Sequence, residues 1–210
     1  MKKAKLLSAV LAVILLLAAV TPAFAAGGYS DVKEKRWSYS AVMYVTEKGY
    51  MKGVTADRFD PSGSMTRGMF VTVLYRKEGS PDVEFRPDFT DVKSGKYYSK
   101  AVIWAKDRGI VSGVTDTTFD PNGSITREQL ATVLYRYAEG MGYDVSASVD
   151  LSGFPDAGDI QDYAMEALSW AVAEGLLQGF EDDSLQPGGT ATRAQIATIL
   201  MRFLSAAPTA

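Results

Sequence analysis

A repeat inside the chain is the feature that most constrains its fold. Displacing the sequence by 60 residues aligns 29–76 with 89–136 without a gap, and 21 of the 48 aligned pairs are identical. Background composition would give roughly one match in fifteen. A third copy, 154–203, follows the second at a displacement of 66 from Ala167 onward, with one extra residue near 159–162. The chain therefore predicts one small structural unit repeated three times.

The first half of each copy has the pattern of a short amphipathic helix. Apolar residues recur at i, i+1, i+3 and i+4, as in 101–105, and this spacing places them in one stripe along a helix. The pattern ends in each copy at a glycine that is followed by an apolar residue: Gly49, Gly109 and Gly175. A glycine in this position predicts a Schellman turn.

The second half predicts a turn-rich loop and a second helix. The loop carries one large apolar residue that we expect to plug the core: Phe59, Phe119 and Leu185. The second helix begins after Thr126, a good N-cap, and Gln129 three residues later completes a capping box. The third copy keeps both residues as Thr192 and Gln195, whereas the first has Met69 and lacks the box. Each unit is too small to bury its own stripe, so we predict a mostly α fold of three helix–loop–helix repeats packed on one another.

An arginine follows the cap threonine in every copy, at Arg67, Arg127 and Arg193. A cation at the first helical position meets free N–H groups and the positive end of the macrodipole, at a cost of up to about 1 kcal/mol. One interpretation is that the arginine fork and the free N–H groups together hold a carboxylate ligand, which would offset that cost. The other is structural: each arginine pairs with the aspartate that opens its own repeat (Asp31, Asp91 or Asp156). Both hold if the aspartate orients the arginine.

The N-terminus predicts a secretory signal peptide over residues 1–25. A basic start is followed by an apolar run over 6–20 and by Ala23-Phe24-Ala25, a small-x-small cleavage site; the run is too short for a membrane span. Cleavage there would leave 185 residues, with 19 basic and 25 acidic side chains. That balance argues against nucleic acid as a partner. The absence of cysteine implies that apolar packing replaces disulfides, and the absence of histidine removes the commonest general base.

Two other classes of function fit the sequence less well. The acidic loops lack the Asp-x-Asp-x-Asp-Gly spacing of a calcium loop, and Pro61, Pro121 and Pro187 fall where ligands would be needed. No pair of carboxylates stands out from the repeat pattern, so we expect neither catalysis nor a metal or other cofactor. Trp37 lies outside the apolar stripe and is a candidate for stacking on a sugar, or a lid on the core. The loop glycines Gly53, Gly113 and Gly179 allow either a close approach of a saccharide or a tight turn.

The order Phe-x-Asp-Val, Ala-Val-x-Trp-Ala-x-x-x-Gly-Ile and Phe-x-Pro-x-x-x-Ile-Thr-Arg-Glu-Gln resembles surface-layer homology (SLH) repeats. The resemblance covers 29–76, 89–136 and 154–203, with linkers at 77–88 and 137–153 and a loose tail at 204–210. It implies three helical prongs arranged with pseudo-threefold symmetry and grooves between neighbours.

The resemblance also implies a function. Such domains hold exported proteins non-covalently on the cell wall, in the S-layer of Gram-positive bacteria, and the usual ligand is an anionic secondary cell-wall polysaccharide, often with a pyruvate ketal on N-acetylmannosamine. The expected glycan-binding residues are the three arginines with their neighbours: Arg67, Arg127, Arg193, Thr126, Thr192, Gln129, Gln195, Asp31, Asp91, Asp156, Trp37, Gly53, Gly113 and Gly179. The second copy matches best, so we expect Arg127 in the tightest groove. The alternative is a module that binds another surface protein or itself.

Overall fold

The computed structural model describes residues 28–206, so the expected signal peptide and the last four residues of the expected tail lie outside the described residues. The described chain forms six α-helices, which are α1 (Tyr39–Glu47), α2 (Arg67–Lys77), α3 (Ser99–Asp107), α4 (Arg127–Gly140), α5 (Met165–Ala173) and α6 (Arg193–Ala206). Two short 3-10 helices, Ala157–Asp159 and Asp162–Ala164, precede α5. Residues 28–206 contain three isolated β-bridges and no strand. The prediction of a mostly α fold with three helix–loop–helix repeats is confirmed.

Two helices are longer than the predicted boundaries. Helix α4 continues through Gly140 into the expected linker, and α6 continues through Ala206 into the expected tail. Both extensions continue an apolar face, since Tyr137 and Ala138 are buried in the first and Leu204 packs against the core in the second. None of the helices in residues 28–206 combines the length and apolar character needed to cross a bilayer.

The predicted helix ends form as expected. Gly109 has a φ of 69°, and the Ile110 N–H donates to the Ala105 carbonyl at 2.9 Å, which is the long bond of a Schellman turn. The capping box at Thr126 is complete, and Gln195 accepts from the Thr192 N–H at 2.8 Å in the third repeat. Thr66 accepts from the Met69 N–H without a reciprocal bond, because Met69 has no acceptor that could complete the box.

Helices pack between repeats rather than within them. Helix α3 of the second repeat packs on α2 of the first, α5 on α4, and α1 on α6. Each repeat therefore contributes its first helix to the second helix of the preceding repeat, and the third repeat receives α1 to close the ring. The predicted core residues are buried, among them Trp104, Trp170 and the loop plugs Phe59, Phe119 and Leu185.

The three segments before the second helices meet at the centre of this ring. The Ile125 N–H donates to the Met65 carbonyl at 2.9 Å, the Met65 N–H to Ala191 at 3.3 Å, and the Ala191 N–H to Ile125 at 3.2 Å. These bonds form a closed triangle in which every repeat contacts both others. The triangle places the start of each second helix beside the loop of the next repeat.

Candidate functional site

The three arginines of the Thr-Arg pairs are buried, and each contacts the loop of the next repeat. Arg67, Arg127 and Arg193 are 8%, 5% and 7% exposed. Arg127 donates from Nε to the Leu185 carbonyl at 2.7 Å and from Nη2 to the Gln178 carbonyl at 2.8 Å. Arg67 makes the same pair of bonds with Phe119 (2.9 Å) and Ser112 (3.3 Å). Arg193 makes it with Phe59 (2.8 Å) and Lys52 (2.7 Å), which joins the third repeat to the first.

The opening aspartates fasten the same loops from the other side. Asp91 accepts from the N–H groups of Phe119 and Asp120 at 2.9 and 2.7 Å, and Asp31 and Asp156 do the same in their repeats. Phe119 is thus held at its N–H by Asp91 and at its carbonyl by Arg67. The structural alternative, that each arginine pairs with the aspartate of its own repeat, is wrong, because each guanidinium reaches the following repeat instead. Aspartate and arginine are linked through a loop residue that both contact.

The helix N-termini are not open anion sites. The Arg127 N–H donates to the Gly189 carbonyl and the Glu128 N–H to the Pro187 carbonyl, at 2.9 and 3.0 Å, while Thr126 caps the third. The equivalent bonds occur in the other repeats, as from the Arg67 N–H to Gly123 at 2.9 Å. The expectation that free N–H groups would help to bind a ligand is therefore wrong. The loop carbonyls also give each arginine side chain an acceptor within the protein. The position of the arginine therefore does not destabilise the empty protein in a way that ligand binding would have to offset.

The arginines keep uncommitted donors on their guanidinium groups. A guanidinium has five N–H donors, and the loop carbonyls described above engage two. Each guanidinium also lies over an aromatic ring: Arg67 over Phe119 at 4.7 Å, Arg193 over Phe59 at 4.5 Å, and Arg127 over Phe180 at 4.6 Å. The group is thus fixed in place before any ligand arrives.

Arg127 has fewer carboxylates near its positive charge than the other two arginines have. Burial lowers the pKa of all three guanidinium groups. Asp120 and Asp91 oppose this shift at Arg67, whereas Asp156 is the one carboxylate that opposes it at Arg127, where burial brings the pKa to about 10. The difference follows from the sequence, since Gln186 occupies the position that Asp60 and Asp120 hold in the other loops. All three arginines remain cationic at neutral pH.

Three equivalent grooves lie beside these arginines, and we number them by the repeat whose loop lines them. Groove 1 contains Arg193 with Lys52, Gly53, Val54, Arg76 and Tyr97. Groove 2 contains Arg67 with Ser112, Gly113, Val114, Arg136 and Tyr163. Groove 3 contains Arg127 with Gln178, Gly179, Phe180, Arg202 and Trp37. Their volumes are about 190, 320 and 200 Å³. Every groove thus combines residues from all three repeats.

The sequence identified one aromatic wall and missed the other two. Trp37, which is 65% exposed, lines groove 3, and the equivalent residues Tyr97 and Tyr163 are 55% and 50% exposed. Applying the repeat displacements to Trp37 would have found both. The same displacements relate a second arginine in each groove, which the sequence analysis also missed: Arg76, Arg136 and Arg202.

The capping motif is divided between two grooves. Arg127 lies in groove 3, whereas Gln129, two residues later, lines groove 2 beside Arg67. Gln195 likewise lines groove 3, and Thr126 and Thr192 act as caps. The arginine and the glutamine diverge because the helix places N1 and N3 on different sides, and each side faces a different repeat.

The loop glycines line the grooves, and the tight packing of the loops also favours glycine at these positions. A Cβ on Gly113 would lie 2.1 Å from the Thr115 carbonyl and 2.4 Å from the Thr118 carbonyl. A Cβ on Gly53 would meet its own loop at 2.5 Å, whereas Gly179 is less crowded, with a nearest atom at 3.2 Å. Tight closure of the loop therefore requires glycine in the first two repeats.

Known proteins share this sequence pattern across most of the chain. An endoglucanase of Bacillus sp. (strain KSM-635) is 32% identical over 176 residues, which is 84% of this chain and 18% of the relative. The surface-layer 125 kDa protein of Lysinibacillus sphaericus is 28% identical over 90% of this chain and 16% of its own length. The cellulosome-anchoring protein of Acetivibrio thermocellus is 27% identical over 76% of this chain and 36% of its own length.

The chain thus spans a minor part of each of these relatives, whose names range from enzymes to surface proteins. Each of the three alignments covers at least three quarters of this chain. The pattern of the S-layer homology domain matches residues 28–68, 88–131 and 153–197, one match for each repeat described above. The chain belongs to the S-layer homology domain family.

Proposed function

We propose that this chain anchors an exported protein non-covalently to a bacterial cell wall, by binding an anionic, pyruvylated secondary polysaccharide in its three grooves. The observation that carries the proposal is the composition of each groove. A buried guanidinium with unused donors lies near an exposed aromatic ring, and an apolar residue (Val54, Val114 or Phe180) lines the same groove. A saccharide that bears a carboxylate has both an anion for the cation and an apolar ring face for the aromatic side chain.

The fixed arginine accounts for affinity without a large ordering cost. A free arginine on a surface would lose rotamer entropy when it grips a ligand. Here two backbone carbonyls and an aromatic ring already hold the side chain, so binding has little of that entropy left to lose. Burial also removes water that would screen the contact, which strengthens a charge-assisted hydrogen bond.

Groove 3 has the features of the strongest anion site. One carboxylate, Asp156, opposes the fall in the pKa of Arg127, whereas two act at each of the other arginines, because Gln186 replaces an aspartate. The walls of groove 3 include an indole, Trp37, and a phenyl ring, Phe180, where the other grooves have a tyrosine and a valine. This supports the expectation from the sequence that Arg127 lies in the tightest groove.

A titration tests the proposal at groove 3. Trp104 and Trp170 are buried, so a change in tryptophan fluorescence on adding pyruvylated N-acetylmannosamine would report chiefly on the exposed Trp37. We expect saturable binding, and Gln186→Asp should weaken it by about tenfold because a carboxylate then competes for Arg127. The control Ser148→Asp adds the same charge on the linker and should leave binding unchanged. Equal affinity of Gln186→Asp and the parent chain would contradict a contact between Arg127 and the pyruvate carboxylate.

Sedimentation with purified cell walls tests the anchoring role itself. We expect the chain to sediment with intact walls and to stay in solution after the accessory polysaccharide is removed chemically. Retention on stripped walls would instead indicate a protein or peptidoglycan partner and would overturn the proposal.

A further inference from the structure

The second arginine of groove 2 lacks the hydrogen bonds that the second arginines of the other two grooves make. Arg202 of groove 3 donates from Nη1 to the carbonyls of Gly175 and Leu176 at 3.1 and 3.4 Å, and Arg76 of groove 1 donates to the Tyr50 carbonyl at 3.4 Å. Within residues 28–206, Arg136 of groove 2 has no such hydrogen bond and no ion pair, although it is half-buried. A half-buried cation without a partner favours a ligand anion, because the cation has lost part of its hydration without a compensating contact.

Arg136 and Arg67 both lie close to the aromatic wall of groove 2. The positive charges of both side chains act on the Tyr163 hydroxyl and oppose the rise in its pKa that burial causes. The two guanidinium groups come from different repeats, Arg67 from the start of α2 and Arg136 from α4. They therefore bring two cations to a single groove beside the same aromatic ring.

The aromatic wall of groove 2 is also held more firmly than the others. The Tyr163 hydroxyl donates to Oε1 of Glu128 at 3.0 Å, and the Gln161 N–H donates to Oε2 at 3.2 Å. Glu128 is 7% exposed, and the equivalent positions are Gly68 and Ala194, which have no such acceptor. The carboxylate fixes the segment that carries the extra residue of the third repeat, and its charge is engaged by these two donors.

Groove 2 is the largest of the three grooves, with a volume of about 320 Å³ against 190 and 200 Å³. Ligand pockets commonly begin at about 300 Å³. The extra space and the second uncommitted cation occur in the same groove. We propose that groove 2 binds a longer segment of the glycan than its neighbours, one with two anionic groups, in which Arg67 holds one anion and Arg136 the other. This inference rests on the proposed function, because it assigns a particular ligand to one of the three grooves.

Two-dimensional NMR distinguishes the grooves, because Gly53, Gly113 and Gly179 each line a different one. The ¹⁵N-labelled chain would be titrated with three synthetic disaccharides. The first carries one pyruvate ketal, the second adds a carboxylate on the neighbouring sugar, and the third adds a phosphate there instead. The shift of each glycine amide then gives a dissociation constant for its own groove.

We expect the second anion to tighten binding at Gly113 by about tenfold and to change binding at Gly53 and Gly179 little. The carboxylate and phosphate disaccharides identify which anion groove 2 prefers. Arg136→Gln should abolish this difference between the singly and doubly charged disaccharides and leave the melting temperature unchanged. Arg136→Lys should retain part of the gain.

Arg202→Gln is the matched control, since Arg202 holds loop carbonyls in groove 3. It should lower the melting temperature without affecting the gain at Gly113. Equal affinity of groove 2 for the three disaccharides, or a gain that survives in Arg136→Gln, would overturn the inference and leave the proposed function intact. The absence of saturable binding at all three glycines would instead contradict the proposed function, and the inference with it.

Discussion

At the scale of single residues, the arginines that follow the cap threonines have a structural role as well as a proposed binding role. Each is buried and joins two repeats through two backbone carbonyls, for example Leu185 and Gln178 at Arg127. Loss of the side chain would leave these carbonyls without their donor. The local sequence indicated an arginine at an unfavourable position, and the tertiary structure supplies the acceptors that make the position favourable.

We therefore expect Arg127→Ala to destabilise the fold by about 2–4 kcal/mol, measured by urea denaturation. Arg127→Lys should recover part of this loss, since one ammonium can reach a carbonyl but cannot reproduce the fork. Lys33→Ala, at an exposed site outside the grooves, is the control. An unchanged unfolding free energy in Arg127→Ala would show that the two hydrogen bonds contribute nothing.

Asp31, which holds the loop of the first repeat, predicts how stability depends on pH. Burial alone would raise the pKa of Asp31, but hydrogen bonds from the Phe59 and Asp60 N–H groups and the charge of Arg58 outweigh it, so the pKa lies below its usual value. A depressed pKa contributes stability above the unfolded-state value of about 3.9, and this contribution is lost as the pH falls through the folded-state value.

Asp31→Asn should accordingly lower stability at pH 7 and show a shallower loss of stability than the parent chain between about pH 4 and pH 2. Thermal unfolding at a series of pH values measures this difference. Asp116→Asn, at an exposed position of a loop, should follow the parent curve. Parallel curves for Asp31→Asn and the parent chain would contradict the assignment.

At the scale of single elements, the loops before the second helices carry backbone strain at one repeated position. Asp60, Asp120 and Gln186 adopt positive φ values of 60°, 56° and 49°. Aspartate tolerates the left-handed region better than glutamine, because its short side chain can bond locally, as Asp120 does with the Gly123 N–H at 3.0 Å. The third loop is therefore the most strained of the three.

Gln186→Gly should stabilise the chain by about 0.5–1 kcal/mol, because glycine adopts positive φ without steric cost. The gain is limited by the greater entropy of glycine in the unfolded state. Differential scanning calorimetry against the parent chain measures the effect. Asp120→Gly should gain less, since it removes the 3.0 Å bond from the Gly123 N–H to a carboxylate, whereas Gln186→Gly removes an exposed 3.3 Å bond to the Ser184 hydroxyl. A larger gain at Asp120 than at Gln186 would contradict this account of the strain.

At the scale of the whole molecule, the three repeats form a closed ring rather than an open stack. The first helix of each repeat packs on the preceding repeat, the arginines reach the following loop, and α1 returns to α6. Each groove takes residues from all three repeats. Removal of one repeat from a linear solenoid leaves its neighbours intact, whereas removal of one here breaks every groove.

A chain that ends at residue 152 tests this closure. It lacks α5 and α6, so the apolar faces of α1 and α4 would be exposed. We expect the truncated chain to lose cooperative thermal unfolding, measured by circular dichroism. We also expect it to lose glycan binding in groove 1, which keeps its loop and α2 from repeat 1 but loses Arg193. A cooperative transition close to that of the full chain would show that two repeats suffice.

The sequence by itself determined the local structure and the approximate position of the grooves. Helix ends, caps and turns were predictable because each depends on residues within a few positions of one another, as with Gly109 and Ile110 or Thr126 and Gln129. The buried stripes were predictable because they follow the helical period. The displacement between copies also identified equivalent residues, and its fuller use would have found Tyr97 and Tyr163.

Only the tertiary structure decided which repeat each side chain contacts. Arg193 and its acceptor Phe59 are 134 residues apart, and no local pattern specifies a contact of that range. The pairing of α1 with α6 and the separation of Arg127 from Gln129 into different grooves likewise depend on ring closure. Local signals fix the shape of one repeat, but the donors and acceptors at its surface are satisfied by its neighbours, and the partners are therefore set by the packing of the whole ring.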